Sequence, residues 1–411
     1  MARVVVIGAG IVGAACGYFL ARDGHHVTVV DRGTIGGGTT GRGEGNILVS
    51  DKPPGPELEL ARWSGALWHA LGADPGSGVS TDDLEWQPKG GLVVATGAEA
   101  LAGLMAFAER QASAGVECAP VGGDDLAGYE PHLVPGLPGG VFYPADQQVQ
   151  PVRAAAALLR AARAFGATVR CDVEVTGVRV DSGGAVRAVR YRSGDGVREI
   201  PAEVVINAAG TWGGEVSTRL GAPIPVLPRR GFILVTEPLP QVVRHKVYTA
   251  DYVANVASGD AGLETSVVVE GTQGGTVLIG ASRERVGFDH AVRYQVVRLL
   301  AAQAVRLFPM LAGVSLMRVY RGFRPYCPDH LPVIGPDPRV PGVWHACGHE
   351  GAGIGLAPAT GALIADLLAG RATRVTPEPF SPARFGDPSA PTPRVPGAPR
   401  DAGTVAWGAS A

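Results

Sequence analysis

The chain has 411 residues, more than one core ordinarily fills, so two domains are expected. Its 36 Lys and Arg against 38 Asp and Glu leave a net charge of −2, and no basic run offers a face to nucleic acid. Five scattered cysteines (Cys16, Cys118, Cys171, Cys327, Cys347) form no C-x-x-C pair. That excludes a disulfide framework, or a zinc or iron–sulfur site made by this chain alone, and points to buried thiols in a reducing compartment. No apolar run is long enough to span a bilayer, and a strand starts too near the N-terminus to leave room for a signal peptide, so a cytoplasmic protein is expected.

Residues 4–7 form a continuous apolar run, the pattern of a parallel strand covered on both faces. Gly8, Gly10 and Gly13 follow as G-x-G-x-x-G. A helix is predicted over 11–22 with Gly24 beyond its end, then a strand over 27–30 closing on Asp31. Gly8 permits a tight turn, Gly10 a close approach of pyrophosphate, and Gly13 close packing of helix on sheet. The helix N-terminus then faces the phosphates, and Asp31 can accept from ribose hydroxyls. The three glycines alone mean little. Strand, helix, second strand and acid together identify a dinucleotide-binding turn.

The stretch "RGTIGGGTTGRGEGNILVS" carries Thr39, Thr40, Arg42 and Asn46. It reads either as a loop running along an extended dinucleotide or as a mobile surface loop. Further on come an amphipathic helix with Leu60, Leu67, Trp68 and Leu71 available for burial, a short strand "GGLVVATG" and a helix ended by Gly115. A helix opening at Pro151 buries Ala155, Leu158, Leu159 and Ala162. A hairpin and the strand 204–206 follow, the strand running into the small residues Ala209 and Gly210. Over 223–321 the pattern is antiparallel, with a turn at Gly274-Gly275 and a helix whose Val292, Val296, Leu299 and Leu307 share a face. Phe232, Tyr248 and Tyr252 are pocket candidates here. Beyond Phe385 the Pro-, Ala- and Gly-rich composition predicts a disordered tail, or a docking segment anchored by Trp407.

The N-terminal segment, "GGGTTGRGEGN", "VVINAAGTW", "RGFRPYCPDHLPVIG" and "GHEGAGIGLAPATG", in this order, resemble the D-amino-acid oxidase superfamily of FAD-dependent oxidoreductases. The last motif is most similar to opine oxidase and D-hydroxyproline dehydrogenase flavin subunits; glycine oxidase is a further likeness. The resemblance implies an α/β fold: a discontinuous Rossmann-like FAD-binding domain (1–50, 143–222 and 322–385) with an inserted α+β substrate domain on a largely antiparallel sheet (51–142 and 223–321). Residues 386–411 are the tail.

By the same resemblance, Gly8, Gly10, Ile11, Val12, Gly13, Asp31 and Arg32 hold the adenosine and pyrophosphate, although the family more often has Glu at position 31. Thr39, Thr40, Gly45 and Asn46 line the segment towards the ring, Val175 meets adenine, and Ala209, Gly210 and Trp212 pass the pyrophosphate. Gly348, Gly351, Gly353 and Ile354 lie against the flavin, where a helix beginning near Gly355 aims its positive N-terminus. Arg324 grips the substrate carboxylate, with Arg321 a weaker candidate. His349 is either a catalytic residue or a hydrogen-bonded core histidine, and Glu350 either faces the site or caps a turn. Gly322, not Cys327, falls where monomeric sarcosine oxidase links its flavin, so FAD is expected to be noncovalent. The implied reaction is oxidation of a C–N bond in an amino or imino acid, with hydride passing to flavin N5. Electrons leave to oxygen or to partner subunits, iron–sulfur chains among them. A flavin subunit that only carries electrons is the rival from another class.

Overall fold

The computed structural model describes residues 1–193, 196–256 and 258–386. Apart from Gly386, the expected tail, Trp407 included, lies outside the described residues.

Strand β1 (Arg3–Ile7) is followed by helix α1 (Ile11–Arg22) and strand β2 (His26–Val30). β1 pairs in parallel with β2 on one side and with Val204–Asn207 on the other. The sheet has six strands, in the order 333–336, 343–347, 204–207, β1, β2, 168–170. Its pairs are parallel except 333–336 with 343–347. Gly8 adopts φ +118°, and a Cβ there would stand 2.3 Å from the Ala208 carbonyl oxygen. A Cβ on Gly13 would stand 1.9 Å from the Gly8 oxygen, so only glycine lets α1 sit this close to the turn it leaves.

α1 packs against the helices Pro151–Ala164 and Gly353–Ala369. Gly361 makes the second contact possible, because a Cβ there would fall 2.7 Å from the Ala15 carbonyl. The C-terminal helix begins at Gly353, two residues before the expected start, and contains Pro358. Proline has no N–H to give the carbonyl four residues back. That carbonyl, Ile354 O, instead accepts from Trp68 Nε1 at 3.1 Å, and the next amide, Ala359, donates to Ser64 Oγ at 3.2 Å. Both partners lie on α2 (Pro56–Ala73), which this pair of bonds ties to the C-terminal helix beside the parallel sheet.

A second sheet of eight strands runs in the order 316–326, 227–236, 277–283, 264–271, 246–249, 91–95, 139–143, 119–122. It is antiparallel except where 246–249 meets 91–95. The strand Leu316–Tyr326 runs unbroken through position 322, where the sequence reading divides the domains. The helix Tyr294–Leu307 covers one face of this sheet through Val296, Leu300, Ala304 and Leu307. The expected face is therefore corrected: Val292 precedes the helix, and both it and Leu299 are exposed. The burial stripe follows spacings of three and four from Val296, the period of a helix lying on a sheet.

The thiols are free. Cys16, Cys327 and Cys347 are buried, but Cys118 is only half-buried and Cys171, just after the strand 168–170, is exposed, against the expectation of burial. Among the described residues no helix is long and apolar enough to cross a membrane. The parallel sheet with flanking helices, joined to an antiparallel sheet with its own helix, is a mixed α/β architecture of the expected class.

Candidate active site

A cavity of about 390 Å³ opens where the C-terminal ends of β1, β2 and Val204–Asn207 face the strand Leu316–Tyr326. It is lined by Gly8, Gly10, Ile11, Val12, Asp31, Arg32, Thr39, Thr40, Asn46, Val175, Ala209, Gly210 and Trp212, and also by Arg324, His349, Gly351, Gly353 and Ile354. Gly13, Gly45 and Gly348 are not on its wall. Gly13 serves the α1 packing described above. Gly45 is pressed against the chain, its Cβ position 1.8 Å from Val149 O. Gly348, at φ +80°, packs towards Val226, Cys327 and Val333.

Local bonds shape the glycine-rich side. Asp31 accepts from Ala9 N at 2.7 Å and Gly33 N at 2.8 Å, which fixes its carboxylate beside the turn. Thr40 Oγ1 accepts from Ile11 N at 3.0 Å, while Thr39 Oγ1 donates to Phe323 O at 2.7 Å. The loop therefore joins α1 to the strand that carries Arg324. Arg32 lies over the Trp212 ring at 4.4 Å, and Phe288 stacks against that ring at 5.7 Å.

Arg324 is placed by strand pairing. It sits opposite Arg229, two residues from the Gly231–Gly322 pair. A Cβ on Gly231 would be 2.1 Å from Arg324 Nη1, so the guanidinium occupies the space of the missing side chain. Nη1 donates to Ser282 O at 2.8 Å. Withdrawal from bulk water, then the charge of Arg283, pulls the Arg324 pKa down to about 10, which leaves it cationic at neutral pH. Arg321 is not on the cavity wall; its Nη2 meets His290 Nδ1 at 2.8 Å.

His349 is both a cavity residue and a buried one. Its Nε2 lies 2.9 Å from Thr360 Oγ1, whose single proton goes to Leu356 O at 2.9 Å. The imidazole must then donate from Nε2 and carry its lone pair on Nδ1. Burial pushes its pKa down to about 3, so it is neutral. Glu350, at φ +47°, faces the cavity and pairs with Arg229 at 3.3 Å. Of the three aromatic candidates only Tyr252 reaches the wall. Phe232 is in the core, and the Tyr248 hydroxyl meets Ser50.

Glu44 was not singled out from the sequence, yet it lines the cavity at 7% exposure. Its Oε2 accepts from Asn46 Nδ2 at 2.8 Å and lies 3.7 Å from Lys246 Nζ. Its Oε1 and the Asn46 Oδ1 are buried with no partner among the described residues. The signal was there, an acid between two glycines, but such an acid ordinarily reads as a solvated loop residue.

The parallel sheet, its glycine turn and the cavity at the strand ends define a dinucleotide-binding enzyme. A model of the DAO family, FAD dependent oxidoreductase, matches residues 3–367. Glycine oxidase of Pseudomonas putida is 30% identical over 400 residues, 92% of this chain and 98% of that protein. Hydrogen cyanide synthase subunit HcnC of Pseudomonas protegens is 34% identical over 262 residues, and the match spans 63% of this chain and only 58% of that relative. The solved glycine oxidase from Geobacillus kaustophilus superposes with a TM-score of 0.82 at 27% identity, over 94% of this chain and 100% of that one. L-proline dehydrogenase from P. horikoshii shares the fold, with a TM-score of 0.82 at 22% identity, over 93% of this chain and 97% of that one.

The chain belongs to the DAO family of FAD-dependent oxidoreductases. Its residues suit that cofactor. Gly8 and Gly10 present bare backbone to the cavity, the Asp31 carboxylate stands at the end of β2, and the orphaned Asn46 Oδ1 is an acceptor awaiting an N–H donor.

Proposed function

We propose that the chain oxidises the carbon–nitrogen bond of a small amino or imino acid to an imine, with Arg324 holding the substrate carboxylate. One observation carries this reading: a guanidinium without a described carboxylate partner lies in the same cavity as the dinucleotide turn. Its planar fork can take both carboxylate oxygens, and Ser282 O fixes its orientation. Burial holds His349 neutral, so it adds no charge of its own, and the Nε2–H bond to Thr360 leaves the lone pair on Nδ1. The helix Gly353–Ala369 starts at the cavity, where its N-terminal partial positive charge favours negative charge developing nearby. FAD, when bound, supplies the two-electron acceptor, and the chain's residues position the substrate. Glycines 8, 10, 351 and 353, with Asp31, Thr39, Thr40 and Asn46, are the residues proposed to hold it, without a covalent link.

The electrons then pass either to oxygen or to a partner chain such as an iron–sulfur protein. A relative that is a named subunit supports the partner; a relative named glycine oxidase, aligned along its whole length, supports oxygen. Oxygen uptake compared with dye reduction by the isolated protein decides between them. The reaction itself is tested by adding glycine, sarcosine, proline, hydroxyproline and both enantiomers of common amino acids to the purified protein without air. At least one should bleach the yellow flavin band. A band that survives the whole panel, or a colourless protein that FAD does not reconstitute, refutes the proposal.

A further inference from the structure

Glu44 is an acid of the cavity wall with one oxygen unused. Its Oε2 is held by Asn46 Nδ2 and faces Lys246 Nζ, while Oε1 is buried without a partner among the described residues. Lys246 is shared. Its Nζ lies 3.7 Å from Glu44 and 3.4 Å from the wholly buried Glu270. Two carboxylates and one ammonium leave this cluster with one negative charge in excess. Out of bulk water such a charge is costly until a cation or a strong donor joins it. The other acids of the wall are answered. Asp31 accepts from the Ala9 and Gly33 amides, Glu174 and Glu215 pair with Arg219, and Glu350 pairs with Arg229.

The antiparallel sheet sets what stands opposite that charge. Gly231 and Ile233 project to one side of the strand Leu227–Thr236. A Cβ on Gly231 would stand 2.1 Å from Arg324 Nη1, so the guanidinium lies over that glycine. A Cβ on Gly280 would stand 2.4 Å from Glu44 Oε1 and 3.1 Å from Ile233 Cδ1, so the carboxylate lies over a second glycine, beside Ile233. Cation and anion are thus offset along one sheet by about a two-residue step, roughly 7 Å. Among the described residues no ion pair joins them. Burial pulls the Arg324 pKa down, and the negative charge of Glu44 acts in the opposite sense, so each lies in the other's field. An α-amino acid carries its nitrogen on the carbon next to its carboxylate, and so fits between a guanidinium and a carboxylate at this spacing.

We propose that Glu44 Oε1 accepts an N–H from the substrate's nitrogen while Arg324 holds its carboxylate, so that the cavity selects amino and imino acids over carboxylic acids of the same shape. Lys246 and Asn46 engage Oε2 and leave Oε1 for the ligand. The proposal rests on the reading of Arg324 as the carboxylate site and adds the residue that recognises the nitrogen.

The test uses two ligands of one shape, 2-aminoisobutyrate and pivalate. The first has an ammonium where the second has a methyl group, and neither has the α-hydrogen that oxidation requires. Each is titrated against the oxidised flavin spectrum of the FAD-loaded protein. The amino acid should bind at least ~10-fold more tightly, and Glu44→Gln should remove that difference with flavin content and pivalate binding retained. Glu44→Asp, which keeps the charge but draws it back, should leave a smaller difference than the parent chain and covers the case in which the Gln variant does not fold. A preference that Glu44→Gln, or Glu44→Asp where it alone folds, leaves unchanged overturns the assignment. If pivalate binds and the amino acid gains nothing over it, Glu44 is overturned and Arg324 stands. If neither ligand perturbs the bound flavin, the Arg324 carboxylate site falls as well.

Discussion

Gly231 is empty of side chain because Arg324 fills the space. A methyl group there would stand 2.1 Å from Nη1 and 2.5 Å from Ser282 O, and the latter is backbone that cannot step aside. Gly231→Ala should therefore displace the guanidinium. KM for carboxylate substrates should rise ~10-fold or more with bound FAD retained, as steady-state kinetics and flavin content will show. His349 gives a pH prediction of known sign. Its folded pKa of about 3 lies below the ordinary 6.5, so the unfolded chain takes up the proton first as pH falls. The stability due to neutral His349 is complete above about pH 6.5 and drains away as the pH drops towards about 3. Between pH 7 and pH 5 this amounts to about 2 kcal/mol. His349→Gln, which still offers an N–H towards Thr360, should lose less melting temperature over that interval than the parent chain. At this scale the sequence was legible where a constraint is local. Gly8 and Gly13 were readable because strand, turn and helix are contiguous. Gly231 and Glu44 were not: Gly231 meets Arg324 only through pairing with a strand far along the chain, and Glu44 meets Lys246 only through the fold, which leaves no period or motif behind.

The C-terminal helix shows the same division among elements. Its glycine-rich start was readable to within two residues, whereas the use of Pro358 was not. The missing proline N–H frees Ile354 O, and Trp68, from a helix nearly 300 residues earlier, supplies the donor. Trp68→Phe should leave a buried carbonyl unsatisfied and cost about 1–3 kcal/mol in denaturant unfolding. In a Pro358→Ala background the restored amide can bond to Ile354 O, so the same substitution should cost less; equal costs in the two backgrounds would show that the indole bond does not compensate for the proline. The helix Tyr294–Leu307 was located, but its face was misread because the pattern was extended back to Val292. In the structure Arg293 sits at the cap, and the sheet beneath selects Val296, Leu300, Ala304 and Leu307.

On the scale of the whole molecule, two sheets contribute opposite sides of one cavity. The parallel sheet brings the glycine turn, Asp31 and the loop through Asn46. The antiparallel sheet brings Arg324. The Thr39 bond to Phe323 O joins the loop to the strand that carries Arg324. This explains why the nucleotide half was the more readable. Its motif lies in the first 31 residues, whereas the antiparallel half is assembled from strands separated by long stretches of chain.

Arg324 is proposed to grip the substrate carboxylate in the cavity lined by the dinucleotide turn. Arg324→Ala tests it most directly, with FAD content and the KM of a carboxylate substrate measured on the same preparation. The prediction is full flavin occupancy with KM raised ~100-fold or more, because one partner of a charge-assisted pair has been removed. Unchanged KM at full flavin occupancy would contradict it.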